Sequence, residues 1–99
     1  VKLATTVDAY NTFIAAQAAS RNWAYLNPNG ALDSLRLLGG TTFRAFPLLG
    51  QACTANPFGT AFSCDAVHPS AATHRLIANY LRVAINAKYS SAVDIPVIP

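Results

Sequence analysis

Asp65 and His68 stand three residues apart in the run Asp65-Ala66-Val67-His68-Pro69, just ahead of a long helical pattern. An imidazole acts as a general base when a carboxylate holds its Nδ1–H. That contact fixes the tautomer and stabilises the cation formed when the ring takes up a proton. In a tight turn this separation brings an Asp to its own His. Pro69 biases His68 away from the helical region, so the ring projects from the loop before the helix. Val67 is expected to face inward and anchor the turn. The same spacing also suits a plain loop-and-cap role for both residues, because a lone Asp-x-x-His is a short motif.

A nucleophile is the part that this pair lacks. Ser63 and Ser70 flank it in sequence. Ser70 suits a helix cap, Ser63 sits beside Cys64, and neither lies on the strained strand-to-helix turn that exposes a nucleophilic serine. Cys53, Cys64, His68 and His74 give the spacing C-x10-C-x3-H-x5-H, whereas structural zinc sites place paired cysteines within about two to four residues of each other. No metal or cofactor is expected. His74 reads as a packed or capping residue and Arg75 as a surface one. Paired, Cys53 and Cys64 would close a loop of about a dozen residues, worth roughly 3 kcal/mol. That would point to an oxidising compartment, hence a secreted, periplasmic or extracellular protein. Unpaired, they would be two buried thiols.

The elements that must position these residues read as follows. Thr5 to Asn22 forms a helix capped by Thr5 with Asp8 as its return partner. Val7, Tyr10, Ile14 and Ala18, widened by Phe13, make its apolar face, and Asp8 and Arg21 suit the dipole at its two ends. Trp23 to Asn27 reads as a short strand closed by the turn residues Asn27-Pro28-Asn29-Gly30. Ala31 to Leu38 supplies one or two helical turns before Gly39-Gly40. Thr41 to Leu49 holds β formers, but Pro47 limits it to an edge or irregular segment. Gly50 to Ser63 reads as loop. Ser70 to Lys88 is a long helix, with Arg75, Asn79, Arg82 and Asn86 as a solvent stripe. Leu76, Ile77, Tyr80, Leu81, Ala84 and Ile85 form a broad apolar face suited to a sheet. The tail Asp94 to Pro99 is extended, docked or frayed.

The 99 residues suffice for one structural unit, 1–99, without repeats or linkers. Charged residues make up only 11% and hydrophobic ones 53%, with no Glu, against roughly 25% charged in an ordinary soluble domain. Little polar cover is available, so much of the surface is expected to pack on something else. The chain opens on Val1 and has no Met, which reads as a processed or truncated start. No leader precedes the first helix, and with a cut start that says nothing about secretion. The net charge of +3 comes from seven scattered basic residues. Without a basic cluster or interleaved aromatics, a nucleic-acid partner is not expected. Prolines and glycines interrupt the long uncharged interval from Arg44 to Asp65, so it is not a membrane span.

The wider run Asp65 to Leu81, DAVHPSAATHRLIANYL, resembles the last block of the SGNH, or GDSL-type, serine hydrolases. The order of helix, short strand, loop and this block is similar too. The resemblance implies an α/β class: the C-terminal part of a three-layer α/β/α, flavodoxin-like fold, with the short strand parallel in its sheet. It implies that Asp65 orients and His68 acts as base. Ala66 and Thr73 stand where many members carry glycine. The first change is expected to be tolerable and the second to alter the opening turns of the helix. The Gly-Asp-Ser block and the blocks that form the oxyanion hole are missing. The nucleophile is therefore expected on an absent N-terminal segment or a companion chain. Two readings follow: a carboxylic-ester hydrolase whose triad takes its Asp and His from this chain, and a non-catalytic fragment or module that folds by association through its apolar face.

Overall fold

A computed structural model describes residues 2–44 and 46–99. Val1 and Ala45, the latter inside the Thr41–Leu49 segment, lie outside the described residues. Three α-helices carry the architecture: α1 (Lys2–Ser20), α2 (Pro28–Leu38) and α3 (Ala71–Lys88), with a 3-10 turn at Cys53–Ala55. Among the described residues there is no β-sheet, only an isolated antiparallel bridge between Phe62 and Pro69. The α/β, flavodoxin-like class implied by the sequence resemblance is therefore wrong for this chain.

The expected strand Trp23–Asn27 fails for a local reason. Asn22 adopts the left-handed conformation at φ 58°. Trp23 N–H donates to Ala18 O at 2.8 Å and Asn22 N–H to Ala19 O at 3.2 Å, the paired bonds of a Schellman helix end. Pro28 then opens α2 as its first residue, a place where its missing N–H costs nothing. Seven residues, 21–27, lie between the helices, and the groups described there are met by the helix end and by a side chain instead of a ladder. The amide of Ala24 donates to Tyr89 Oη at 3.1 Å, and Arg21 lies 5.3 Å over the Trp23 ring. Two further expectations shift. The first helix starts at Lys2, so Thr5 is not its cap and Asp8 is not in its first turn. The second absorbs Pro28-Asn29-Gly30 and runs 11 residues.

The chain divides into two compact units. The first comprises residues 1–27 and 80–97. Within it, α1 buries Ala18 and leaves Val7, Tyr10, Phe13 and Ile14 exposed, so the apolar face read from the sequence is mostly open. Arg82 and Asn86 of α3 hold the tail: Asn86 Nδ2 donates to Ile95 O at 2.9 Å and Asn86 Oδ1 accepts from Ile95 N–H at 2.8 Å. Arg82 Nη1 reaches the same carbonyl at 3.4 Å.

The second unit comprises residues 28–79 with 98–99. Asn79 holds Ile98 as Asn86 holds Ile95, accepting from its N–H at 3.0 Å and donating to its carbonyl at 2.9 Å. The stripe expected in solvent thus serves in each unit to hold backbone of the tail: Asn79 in this one, Arg82 and Asn86 in the first. In the loops, Thr60 and Ala61 N–H donate to Thr41 and Thr42 carbonyls at 2.8 and 3.0 Å. Gly59 makes that approach possible. Its φ is +87°, and a Cβ there would run into the Thr42 carbonyl.

Candidate functional site

The site belongs to the second unit and is built on one short loop. Ser63 N–H donates to His68 O at 2.8 Å and Ser70 N–H to Ala61 O at 2.9 Å, which closes the segment 63–68 as a turn. Two features fix its path. Ala66 takes φ 62°, the left-handed region. A disulfide joins Cys64 to Cys53 with the Cα atoms 5.4 Å apart, inside the usual span for this bond. Cys53 and Cys64 are thus paired, which removes them as ligands in the zinc spacing. Ser70 then caps α3: its Oγ accepts from Thr73 N–H at 3.3 Å. Thr73 is buried beside that cap, its Oγ1 accepting from Ser70 Oγ at 3.3 Å, so the residue expected to disturb the helix start is part of it.

The loop brings Asp65 and His68 together as the spacing suggested. Asp65 Oδ2 lies 2.5 Å from His68 Nδ1. A carboxylate only accepts, so the shared proton sits on Nδ1 and the neutral ring carries its lone pair on Nε2. The other carboxylate oxygen, Oδ1, accepts from Val67 N–H and His68 N–H, both at 2.9 Å, and from Ser63 Oγ at 2.5 Å. These donors, Ser63 foremost and then His68, hold the Asp65 carboxyl well below the usual carboxylate range. The His68 side chain is 74% exposed and that of Asp65 49%, and among the described residues nothing is hydrogen-bonded to Nε2. The arrangement orients the ring and leaves its second nitrogen open to an incoming group, the geometry that general-base chemistry requires.

Other sequence-derived candidates separate clearly. Val67 is 72% exposed and points away from any core, against expectation; its amide, not its side chain, anchors the turn. Ser70 serves the helix cap and Ser63 serves Asp65, so neither hydroxyl addresses Nε2. His74 Nδ1 meets Ser70 O at 3.1 Å, a capping contact without a carboxylate. Arg75 is on the surface. The part played by Ser63 was missed from the sequence. Its signal was a hydroxyl two residues before an Asp in a turn, where short polar side chains bond locally.

A cleft of about 150 Å³ lies in the same unit, walled by Leu32, Leu35, Phe43, Phe62 and Pro69 among others. Ser63 and His68 are not in its wall. Residues paired across an antiparallel bridge share a face, and their chain neighbours take the other. Phe62 and Pro69 are such a pair, so Ser63 and His68 belong to the opposite face. Among the described residues, no helix is long and apolar enough to cross a membrane. No protein-family model, curated protein or solved structure matches the chain.

Proposed function

We propose that this chain supplies the acid and the base of a carboxylic-ester hydrolase. The observation that carries the reading is the 2.5 Å contact between Asp65 Oδ2 and His68 Nδ1, made with Nε2 left open. The likeness of the Asp65–Leu81 run to the SGNH serine hydrolases supports it, and the absence of a sheet leaves it untouched, because the pair is set by the loop and its cap. His68 Nε2 takes the proton of a serine hydroxyl as that oxygen attacks the ester carbonyl. The tetrahedral intermediate collapses, the alcohol departs with the proton from His68, and an acyl-serine remains. Water then attacks, gives its proton to His68, and the acid is released with the serine restored. Asp65 stays ionised and holds the ring in one tautomer throughout. The serine comes from a segment or companion chain outside these residues, since Ser63 and Ser70 are otherwise engaged. The Cys53–Cys64 crosslink supports an oxidising location outside the cytoplasm.

Fluorophosphonate labelling followed by intact-mass measurement tests this on the protein together with whatever polypeptide it purifies with. One adduct is expected, on a serine outside residues 1–99, and His68→Ala should abolish it. No adduct under native conditions would exclude the hydrolase reading. One observation favours the second reading, a non-catalytic module that associates through its apolar face. Helix α1 leaves Val7, Tyr10, Phe13 and Ile14 exposed on one apolar face. Labelling decides between them, because a binding module takes no adduct.

A further inference from the structure

We propose that Ser63 is a positioning residue of the site: its hydroxyl locks the Asp65 carboxylate in the orientation that presents Oδ2 to His68 Nδ1. The catalytic consequence rests on the hydrolase reading above; the lock itself does not. A carboxylate turns easily about its last torsion, where the energy wells are broad and nearly two-fold. Unrestrained, Asp65 would offer either oxygen, or neither, to the ring. Three donors converge on Oδ1: the amides of Val67 and His68 at 2.9 Å and Ser63 Oγ at 2.5 Å. The amides belong to the turn and are always present. Ser63 Oγ is the side-chain donor among them, and it is the shortest contact. It is also tied to both ends of the loop, since its own N–H donates to His68 O at 2.8 Å and its carbonyl accepts from Ala66 N–H at 3.2 Å. One residue thus fixes the backbone of the base and the side chain of the acid. Its hydroxyl proton is committed to Oδ1, which explains why a serine so close to the pair is not the attacking one.

The experiment compares Ser63→Ala with the matched pair Ser63→Thr and Ser63→Val, which differ in the hydroxyl at nearly constant shape. The readouts are the ¹³C titration of the Asp65 carboxyl and the ¹⁵N shifts of the His68 ring. Both are taken on the whole protein alongside turnover of a chromogenic ester. Ser63→Ala and Ser63→Val should raise the Asp65 titration toward the ordinary carboxylate range and mix the His68 tautomers; Ser63→Thr should resemble the native protein. The pH dependence follows from the sign. A carboxyl with a lowered folded-state value adds stability that is present above its unfolded value of about 4 and is lost as pH falls through the folded value. The stability gap between native and Ser63→Ala protein should therefore be full at neutral pH and close in acid. A loss of roughly tenfold in kcat with KM unchanged is expected. Unchanged Asp65 and His68 signals in folded Ser63→Ala or Ser63→Val would overturn the lock, whatever the turnover. Altered signals in a protein that takes no fluorophosphonate would uphold the lock and sink the hydrolase reading.

Discussion

The Ser63–His68 turn and helix α1 show opposite ways of being ordered. The turn has six residues and almost no apolar burial, yet a disulfide, a closing backbone bond and four contacts to one carboxylate fix it. Helix α1 has 19 residues and buries only Ala18. Its large side chains stand out, with Tyr10 and Phe13 each 64% exposed. Across the described residues the buried hydrophobics are Ala18, Ala31 and Ala61, and no large side chain is fully buried. Directional polar contacts and one crosslink therefore define geometry here where a jigsaw core usually would. That suits a site that must hold an imidazole to a carboxylate within tenths of an ångström.

Breaking the crosslink is the most severe challenge to that contrast. Cys53→Ser with Cys64→Ser frees a loop of 11 residues' separation and should cost about 3 kcal/mol in the chain-entropy account. Urea unfolding of the two forms measures it. Because Cys64 adjoins Asp65, the Asp65–His68 contact should weaken in the same variant, visible as a rise in the Asp65 titration. A loss below about 1 kcal/mol would mean that the hydrogen bonds alone order the turn.

A smaller change in the opposite direction sharpens the same point. Ala66 holds φ 62°, a conformation that costs an L-residue roughly 1–2 kcal/mol. Ala66→Gly removes that strain and gives back part of the gain through a freer unfolded chain. A net stabilisation of about 0.5–1 kcal/mol is expected, with the Asp65 and His68 spectra unchanged. A destabilisation would show that the alanine methyl makes a contact worth more than the strain.

The site was legible in the sequence to the extent that it is local. Asp65, His68 and the Ser70 cap follow from spacing within a few residues, where turn and cap chemistry act directly. Val67 does not face inward: in a turn whose path is set by left-handed Ala66, its amide bonds Asp65 while its side chain stays exposed. The fold was not legible. Trp23–Asn27 has the composition of a strand, but a strand exists only with a partner, and the Asn22 helix end and Pro28 leave it as a connection. The α3 stripe was read as solvent-facing because Asn and Arg are usually exposed. Asn79 and Asn86 instead present amides that match the N–H and C=O of an extended chain, a pairing invisible until the tail is in place.

The mildest perturbation concerns α1. Tyr10→Ser with Phe13→Ser removes two large apolar groups from its open face. Ser, Tyr and Phe have similar helix propensities, so the backbone preference hardly changes. Exposed substitutions away from specific contacts usually fall within about 0.5 kcal/mol, and that is the expected change in unfolding free energy at low protein concentration. Sedimentation supplies the second half of the test. Should the native chain sediment as a larger species with rising concentration and the double variant not, the open face is a contact surface between chains. A loss beyond about 1 kcal/mol in dilute monomer would instead mean that the two rings are covered, and the contrast between a fixed polar turn and an unpartnered apolar helix would fail.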